Sequence, residues 1–343
     1  MRRLLNTLFV LTDDTYLALE NENVVIHGQE EVLGRVPLLG LENILYFGFR
    51  GASPALMGEC AKRQIGLCFL RQNGRFLARV CGESQGNVLL RKKQYRVSDD
   101  ETESCRIARN FIVGKIYNSR AILERAKRDH PMSVNVEALE EVSRELHSAM
   151  REARQAERLD DLRGIEGNAA RLYFSVFGEM ILQNREEFPF QGRWKRPPIG
   201  RVNAAISFVY TMLAHDCASA LESVGLDAYV GFLHRDRPGR ESLALDLMEE
   251  LRAVYADRFV LTLINNRVLK PKDFDERENG VVWLSEDGRK AVVTAWQERK
   301  RDTMSHPYLG EKIYWGLVPY VQALLLARHL RGDLEEYPAF LWK

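Results

Sequence analysis

The chain has 343 residues, of which 45% are hydrophobic and 28% charged, which excludes a disordered protein and leaves room for two domains with a sizeable core. Its 49 basic and 48 acidic residues give a net charge of +1, so nucleic-acid binding would have to come from local clusters of basic residues. The five cysteines include no C-x-x-C pair, which argues against a disulfide framework and a cysteine zinc site and fits a reducing cytosol.

The N-terminal segment differs from a signal peptide, because its apolar run is short and Asp13 and Asp14 follow without a small-residue cleavage site. No stretch reaches about 18 consecutive apolar residues, so we expect no membrane span. We therefore predict a cytoplasmic protein.

Residues 1–85 predict short β-strands around a single helix. Apolar or alternating runs lie between Asp, Asn and Gly turns, and Ser53 and Pro54 predict the start of the helix as its N-cap and first residue. Asn73-Gly74 predicts a hairpin turn into the last strand. We interpret this part as a β-rich N-terminal domain whose sheet edges suit dimerisation.

Residues 86–343 are mainly helical in pattern, with helices predicted at 88–95, 101–128, 136–162, 165–181 and 202–223. Further helices are predicted from Ser242 and over 317–330. A hairpin is predicted at 281–293, with Asp287-Gly288 as its turn. The predicted fold class is therefore α+β, with a small β-rich N-terminal domain followed by a large all-α C-terminal domain.

The helix predicted to begin at Ile165 carries the first functional signal. Its apolar residues recur at helical spacing, and Glu166 falls in the middle of their arc. A carboxylate there costs several kcal/mol unless it is paired or coordinates a cation, and the flanking Gly164 and Gly167 allow a ligand to approach. A Glu near a helix N-terminus that points to water is the alternative, and this helix leaves both open.

A loop at 188–201 carries four basic residues, and no acidic residue lies between Glu187 and Asp216. Arg193, Lys195 and Arg196, with Trp194 among them, suit a phosphate backbone and an unpaired base. The alternative is a solvated connector with a buried tryptophan.

The helix after this loop has a polar stripe of Asn203, Ser207 and Tyr210. This stripe indicates either satisfied hydrogen bonds in the core or groups that orient a metal ligand or a phosphate.

A second basic loop contains Arg235, Arg237 and Arg240 and follows His234, which closes an apolar run. A single histidine in such a place is usually a packed core residue. Asp246 and Glu249 lie about 60° apart on the polar side of the next helix, which taken alone is typical of a solvated face. Together with Glu166, these carboxylates and the imidazole suit Mg²⁺ or Mn²⁺, and a hard cation beside arginines suits attack on a phosphodiester.

Three blocks of the sequence carry a resemblance to a known family. They are Arg163–Gly167, then Arg196–Pro198 leading to Asn203-Ala204, and Gly231–His234 followed by Ser242–Glu250. In this order they resemble CRISPR-associated protein one, the integrase of bacterial and archaeal spacer acquisition, over essentially the whole chain. The Arg240-Glu241-Ser242-Leu243 version of the third block and the Phe340–Lys343 end resemble the I-C subtype.

The resemblance implies a prokaryotic enzyme with Mg²⁺ or Mn²⁺ held by Glu166, His234 and Glu249, with Asp246 supporting the site. Many family members have Asp where this chain has Glu249, and the longer side chain can still ligate. In the implied reaction, the 3′-hydroxyl of a captured DNA fragment attacks a phosphodiester of the CRISPR repeat, whereas water as nucleophile would give hydrolysis. We assign DNA-backbone binding from charge and position to Arg193, Lys195, Arg196, Arg235, Arg237 and Arg240.

The resemblance further implies a homodimer formed through the N-terminal domain, and two such dimers flanking a dimer of CRISPR-associated protein two in a heterohexamer on double-stranded DNA. A purely hydrolytic nuclease for branched DNA is the alternative within the same chemistry. A non-catalytic DNA-binding scaffold is the alternative from another class. Glu166 discriminates between them, because a scaffold gains nothing from a carboxylate on an apolar arc.

Overall fold

A computed structural model of the chain describes residues 6–71, 76–82, 88–278 and 280–342. The predicted turn Asn73-Gly74, the predicted domain boundary at 83–87 and Lys343 lie outside these residues. The N-terminal part consists of β1 (Asn6–Val10), β2 (Tyr16–Glu20), β3 (Asn23–His27), β4 (Val32–Pro37), β5 (Leu41–Tyr46), α1 (Pro54–Lys62), β6 (Gly66–Leu70) and β7 (Phe76–Val80).

Two sheets build this part. One has the strand order β1-β5-β6-β7, in which β1, β5 and β6 run parallel and β7 pairs antiparallel with β6. The other is the antiparallel sheet β2-β3-β4. The predicted helix start is confirmed, because the Ser53 side chain accepts a hydrogen bond from the Leu56 amide at 3.2 Å and Pro54 follows as the first helical residue. Leu56 and Cys60 of α1 pack into a small core with Leu17, Ile44 and Leu67.

The rest of the chain is mainly helical, which confirms a β-rich part followed by a large helical domain. Its helices are α2 (Val88–Asp99), α3 (Glu101–Asp129), α4 (Val136–Gln155), α5 (Leu159–Ser175), α6 (Arg201–Ser223), α7 (Ser242–Glu249), α8 (Arg258–Asn265), α9 (Glu286–Arg301) and α10 (Val318–Arg331). Four strands of three residues each add two small sheets, formed by β8 (Phe274–Glu276) with β9 (Val282–Leu284) and by β10 (Thr303–Ser305) with β11 (Lys312–Tyr314).

The hairpin predicted at 281–293 is wrong in its second half. Strand β9 pairs with β8 and not with residues 291–293, which belong to α9. Ser285 caps α9 by accepting a hydrogen bond from the Gly288 amide at 3.1 Å, and Glu286 and Asp287 lie in the first turn, where acidic side chains stabilise a helix N-terminus. Asp287-Gly288 is therefore part of a helix start and not a turn between strands.

The single helix predicted at 136–162 is in fact divided between α4 and α5. Helix α5 begins at Leu159, so Glu166 lies about two turns inside it and not at its N-terminus. This position removes the alternative in which Glu166 simply points to water from a helix end, since its side chain is only 26% exposed.

Helix α6 lies at the centre of the large core. By length and composition it is the one helix in the described part of the chain that could cross a membrane, but 67% of its most apolar window is buried inside the protein. Its side chains pack against α7, α8 and α10, and Val202, Ile206 and Val209 belong to the main hydrophobic cluster. Helix α6 is therefore a core helix in this fold.

Candidate active site

The structure links Glu166, His234 and Glu249, which come from three separate segments, through a chain of pairwise contacts. Glu166 comes from α5, His234 from the loop before α7, and Glu249 from the end of α7. The His234 Nε2 atom lies 3.9 Å from Glu249 Oε1. The ammonium of Lys115, from the middle of α3, contacts Glu166 Oε1 and lies 2.7 Å from Glu249 Oε2. The two carboxylates therefore face each other across a cation that belongs to the protein.

Asp246 fixes the loop that carries His234. Its Oδ2 atom accepts hydrogen bonds from the Phe232 and Leu233 amides at 2.6 and 2.9 Å, and its Oδ1 atom accepts from the His234 amide at 3.0 Å. The same Oδ1 atom lies 2.6 Å from His234 Nδ1, which fixes the ring so that Nε2 faces Glu249. Asp246 is fully buried, so the solvated face that the helix pattern suggested is wrong for this residue.

Glu249 is also buried, with only 3% of its side chain exposed. Its Oε1 atom lies 2.9 Å from Arg252, which follows one turn later, where the helix continues as a short π-helix, Arg252–Asp257. Burial opposes ionisation of the Glu249 carboxyl, but the charges of Arg252 and Lys115 outweigh it and hold its pKa below the usual range. Glu249 is therefore a carboxylate at neutral pH.

Arg163 joins α5 to the His234 loop. Its guanidinium donates from Nε and Nη2 to the Leu233 carbonyl oxygen, at 3.0 and 2.7 Å, and from Nη1 to Asp160 at 2.6 Å. The carbonyl belongs to the residue just before His234. The placement of His234 relative to Glu166 is therefore fixed by a side chain that stands three residues before Glu166.

The other end of this loop is held by the N-terminal sheet. Arg79 of β7, whose side chain is 2% exposed, lies 2.8 Å from Glu241 and 2.6 Å from Glu222 of α6. Glu241 directly precedes α7. The small domain thus contacts the segment that leads into the helix of Asp246 and Glu249.

Arg193 points into the protein. It donates to Asn203 at 2.9 Å and to Ser207 at 3.1 Å, and its guanidinium lies over the Tyr210 ring at 5.4 Å. The Tyr210 hydroxyl donates to Asp257 at 2.8 Å. The polar stripe of α6 therefore makes satisfied hydrogen bonds, and one of its functions is to hold an arginine of the basic loop.

The remaining basic residues form a rim around the site. Lys195, Arg196, Arg235 and Arg237 are exposed, and Arg240 is half-buried. Burial, and then the charges of Arg237 and Arg196, lower the pKa of the Arg240 guanidinium, so the charges of the two basic loops interact. Although Lys195 is exposed, the protein beneath it and then the charges of Arg252 and Lys115 lower its pKa, so its charge interacts with charged residues of the site.

The chemistry of the donor atoms suits a divalent cation. The donors are carboxylate oxygens and an imidazole nitrogen, and apart from its ion pair with Lys115 the buried Glu249 Oε2 atom makes no hydrogen bond. The ammonium between Glu166 and Glu249 shows that this position accommodates positive charge. Within the described ranges, no three or more His, Cys, Asp or Glu side chains lie close enough together to hold a metal ion, and the carboxylates of Glu166 and Glu249 are instead bridged by the Lys115 ammonium.

Sequence reasoning missed Lys115 and Arg252, and it named Arg163 only as part of a family block, without a role. Lys115 lies among apolar residues of α3, with Phe111 and Ile112 on the same face of the helix, so the argument that singled out Glu166 would also have found it. Arg163 and Arg252 lack such a signal, because an arginine near a helix terminus is most often a solvated residue.

Comparison with known proteins gives a consistent result. The family model described as CRISPR associated protein Cas1 matches residues 8–298. The chain is 47% identical over 343 residues to CRISPR-associated endonuclease Cas1 1 of Chlorobaculum tepidum, with 100% of both chains covered. It is similar in fold to a casposase bound to integration product, with a TM-score of 0.84, 22% identity and coverage of 98% of this chain and 93% of that one. It is also similar to a chain of a Cas6-RT-Cas1–Cas2 complex, with a TM-score of 0.79, 21% identity and coverage of 98% and 36%.

Proposed function

Because this chain belongs to the Cas1 family of CRISPR-associated endonucleases, we propose that it joins 3′-hydroxyl ends of captured DNA to the CRISPR repeat by metal-dependent transesterification. The observation that carries this proposal is that the Lys115 ammonium bridges Glu166 and Glu249 while His234 Nε2 faces Glu249, so that a cation of the protein occupies the space between two of the three proposed ligands. The casposase neighbour supports a fold that is compatible with DNA integration.

In this proposal Glu166, His234 and Glu249 hold the Mg²⁺ or Mn²⁺ ion. Once bound, such an ion supplies charge that polarises the phosphodiester and favours the ionised form of the attacking hydroxyl. Asp246 keeps the His234 ring oriented through its contact with Nδ1, so that Nε2 remains available as a ligand. With water in place of the 3′-hydroxyl, the same residues would catalyse hydrolysis, which is the second candidate function.

The exposed rim is the proposed DNA-backbone surface. Lys195, Arg196, Arg235, Arg237 and Arg240 bind phosphates there, and the 43% exposed Trp194 offers a ring on which an unpaired base can stack. We do not include Arg193 among the phosphate-binding residues, because its guanidinium donates to Asn203 and Ser207 inside the protein.

The proposed partners are a second copy of this chain, Cas2 and double-stranded DNA. Leu39 and Phe49 of the N-terminal part are 86% and 77% exposed, which supports a homodimer through this domain. A complex that contains Cas1 and Cas2 among the similar structures supports Cas2 as a partner, and we propose that the assembly is a heterohexamer with a Cas2 dimer. We place this assembly in the prokaryotic cytoplasm, and assignment to the I-C subtype stays a prediction, as does the division into domains 1–85 and 86–343.

The test is a strand-transfer assay on supercoiled plasmid with a short duplex that has free 3′-hydroxyls. Mg²⁺, Mn²⁺ or EDTA is added, with and without Cas2. We expect metal-dependent joining that disappears in Glu166→Ala and persists in Glu157→Ala, a matched change at an exposed glutamate just before α5. Cutting without joining would favour the hydrolytic nuclease, and DNA binding without either reaction would favour the scaffold.

A further inference from the structure

Lys115 is a lysine in the middle of a buried helix face. Its side chain is 9% exposed, and it extends from α3 between the carboxylates of Glu166 on α5 and Glu249 on α7. Its ammonium is the one protein cation that contacts both carboxylates in the described part of the chain, since Arg252 pairs with Glu249 but not with Glu166.

The backbone under Lys115 is held in place. A Cβ on the preceding Gly114 would lie 2.9 Å from the Glu250 Cβ, so α3 and the end of α7 are in close contact. Asn118, one turn further, donates to the Glu250 carbonyl at 2.6 Å and to the Phe340 carbonyl at 2.7 Å. Any change at this contact therefore has to come from the flexible lysine side chain and not from the helix.

We propose that Lys115 is the resident counter-cation of this site. Its ammonium bridges Glu166 and Glu249 in the metal-free protein and has to leave before both carboxylates can bind a divalent cation. This inference rests on the proposed function, because it takes these carboxylates to be the metal ligands. Lys115 thereby lowers the affinity of the protein for metal, and its charge compensates the two carboxylates when no metal is bound.

Two physical arguments support this assignment. A carboxylate that is buried without a compensating charge is strongly destabilised, so the metal-free site needs a cation from the protein. A divalent ion and an ammonium in contact with the same two carboxylates would repel each other at short range. The competing explanation is that Lys115 stays in place and orients the two carboxylates. In that case the lysine would help the metal to bind.

The experiment measures Mn²⁺ binding by titration calorimetry for the purified full chain without DNA. In Lys115→Met, we expect the Kd to fall at least about 10-fold, and the melting temperature without metal to fall while saturating Mn²⁺ restores it. Lys115→Arg keeps the charge and should not bind Mn²⁺ more tightly. Unchanged or weaker binding by Lys115→Met would overturn the inference.

Lys127→Met is the matched control. Lys127 lies on the same helix, is 11% exposed, and also pairs with two glutamates, Glu124 at 3.0 Å and Glu140. Its removal should lower stability without changing Mn²⁺ affinity. A wild-type protein and a Glu166→Gln variant that bind Mn²⁺ equally, or not at all, would instead contradict the proposed metal site itself.

A measurement on the wild type keeps the inference testable if Lys115→Met does not fold. Acylation of lysines by acetic anhydride, read by mass spectrometry, reports how accessible each ammonium is. We expect Lys115 to be protected without metal and to react faster when Mn²⁺ is added, while Lys127 does not change. Protection of Lys115 that persists in saturating Mn²⁺ would show that the ammonium stays in place.

Discussion

The Arg163 guanidinium binds the Leu233 carbonyl oxygen through two donors, Nε at 3.0 Å and Nη2 at 2.7 Å. The two residues are 70 positions apart in the chain, yet this contact sets the spacing between Glu166 and His234. A charged, two-donor contact of this kind is stronger and more directional than a single neutral hydrogen bond.

For Arg163→Met we therefore expect that His234 is displaced relative to Glu166 while the protein still folds. The strand-transfer rate should fall about 10–100-fold, because a displacement of about 1 Å in a catalytic group can cost that much. Arg171→Met is the control, since Arg171 is exposed on the same helix and donates a hydrogen bond to its helix neighbour Asn168 at 2.9 Å. Equal single-turnover rates for the two variants would contradict the role of Arg163.

The glycines that flank Glu166 give a prediction with opposite signs for stability and binding. A Cβ at Gly164 or Gly167 would meet nothing within 4 Å, and both residues are exposed in the interior of α5. Alanine at each position should raise the free energy of unfolding by about 0.5–1 kcal/mol, measured by urea denaturation. DNA affinity should fall if DNA lies against this face, and unchanged affinity would place the DNA elsewhere.

Asp246→Asn should be strongly destabilising although the shape of the side chain is kept. The carboxylate accepts hydrogen bonds from three backbone amides and contacts the His234 ring. In asparagine, an NH₂ group would replace one of the two oxygens, and it would face a backbone N–H group that also donates. We expect a loss of about 2–4 kcal/mol in the free energy of unfolding. Asp236→Asn, on the exposed part of the same loop, should leave stability within about 0.5 kcal/mol of the wild type.

Two arginines of one loop should respond differently to alanine substitution. Arg196 is exposed, so Arg196→Ala should leave the melting temperature unchanged and lower the slope of log Kd against log salt by about 1. Arg193 binds Asn203 and Ser207 inside the protein, so Arg193→Ala should lower the melting temperature. Identical salt slopes for wild type and Arg196→Ala would remove Arg196 from the DNA surface.

His306 predicts part of the pH dependence of stability. It is fully buried, and burial lowers its pKa from 6.5 to about 4. Because the folded-state pKa lies below the unfolded value, the neutral ring stabilises the fold fully above pH 6.5, and this contribution is lost as the pH falls toward 4. The loss should reach about 2–3 kcal/mol.

Urea denaturation at several pH values checks this prediction. In His306→Gln, the contribution of His306 to the decrease in the free energy of unfolding at acidic pH should disappear. The contribution of His215, whose pKa burial also lowers to about 4, should remain. The same change at the exposed His147 should leave the slope as in the wild type. A His306→Gln protein with the wild-type slope would contradict the assignment.

Much of the fold follows from local sequence patterns. Ser53 and Pro54 start α1 because a cap and a preset backbone angle act within a few residues, and the short β-strands predicted within residues 1–85 are present as β1 to β7. The hairpin predicted at 281–293 was wrong because a short apolar run fits a strand and a helix equally well. The N-cap residue Ser285, which the prediction did not consider, favours the helix.

For the candidate site, the sequence by itself determined that Glu166 lies on an apolar arc and that the three blocks occur in a family order. Helical periodicity reports neighbours three or four residues away, so it indicates that a charge is buried but not which group compensates it. Only the tertiary structure decided that Lys115 pairs with Glu166 and Glu249, and that Arg193 points inward while Arg196 points outward. These pairings depend on how α3, α5 and α7 pack, and packing is set by the whole core and not by the residues near any one charge.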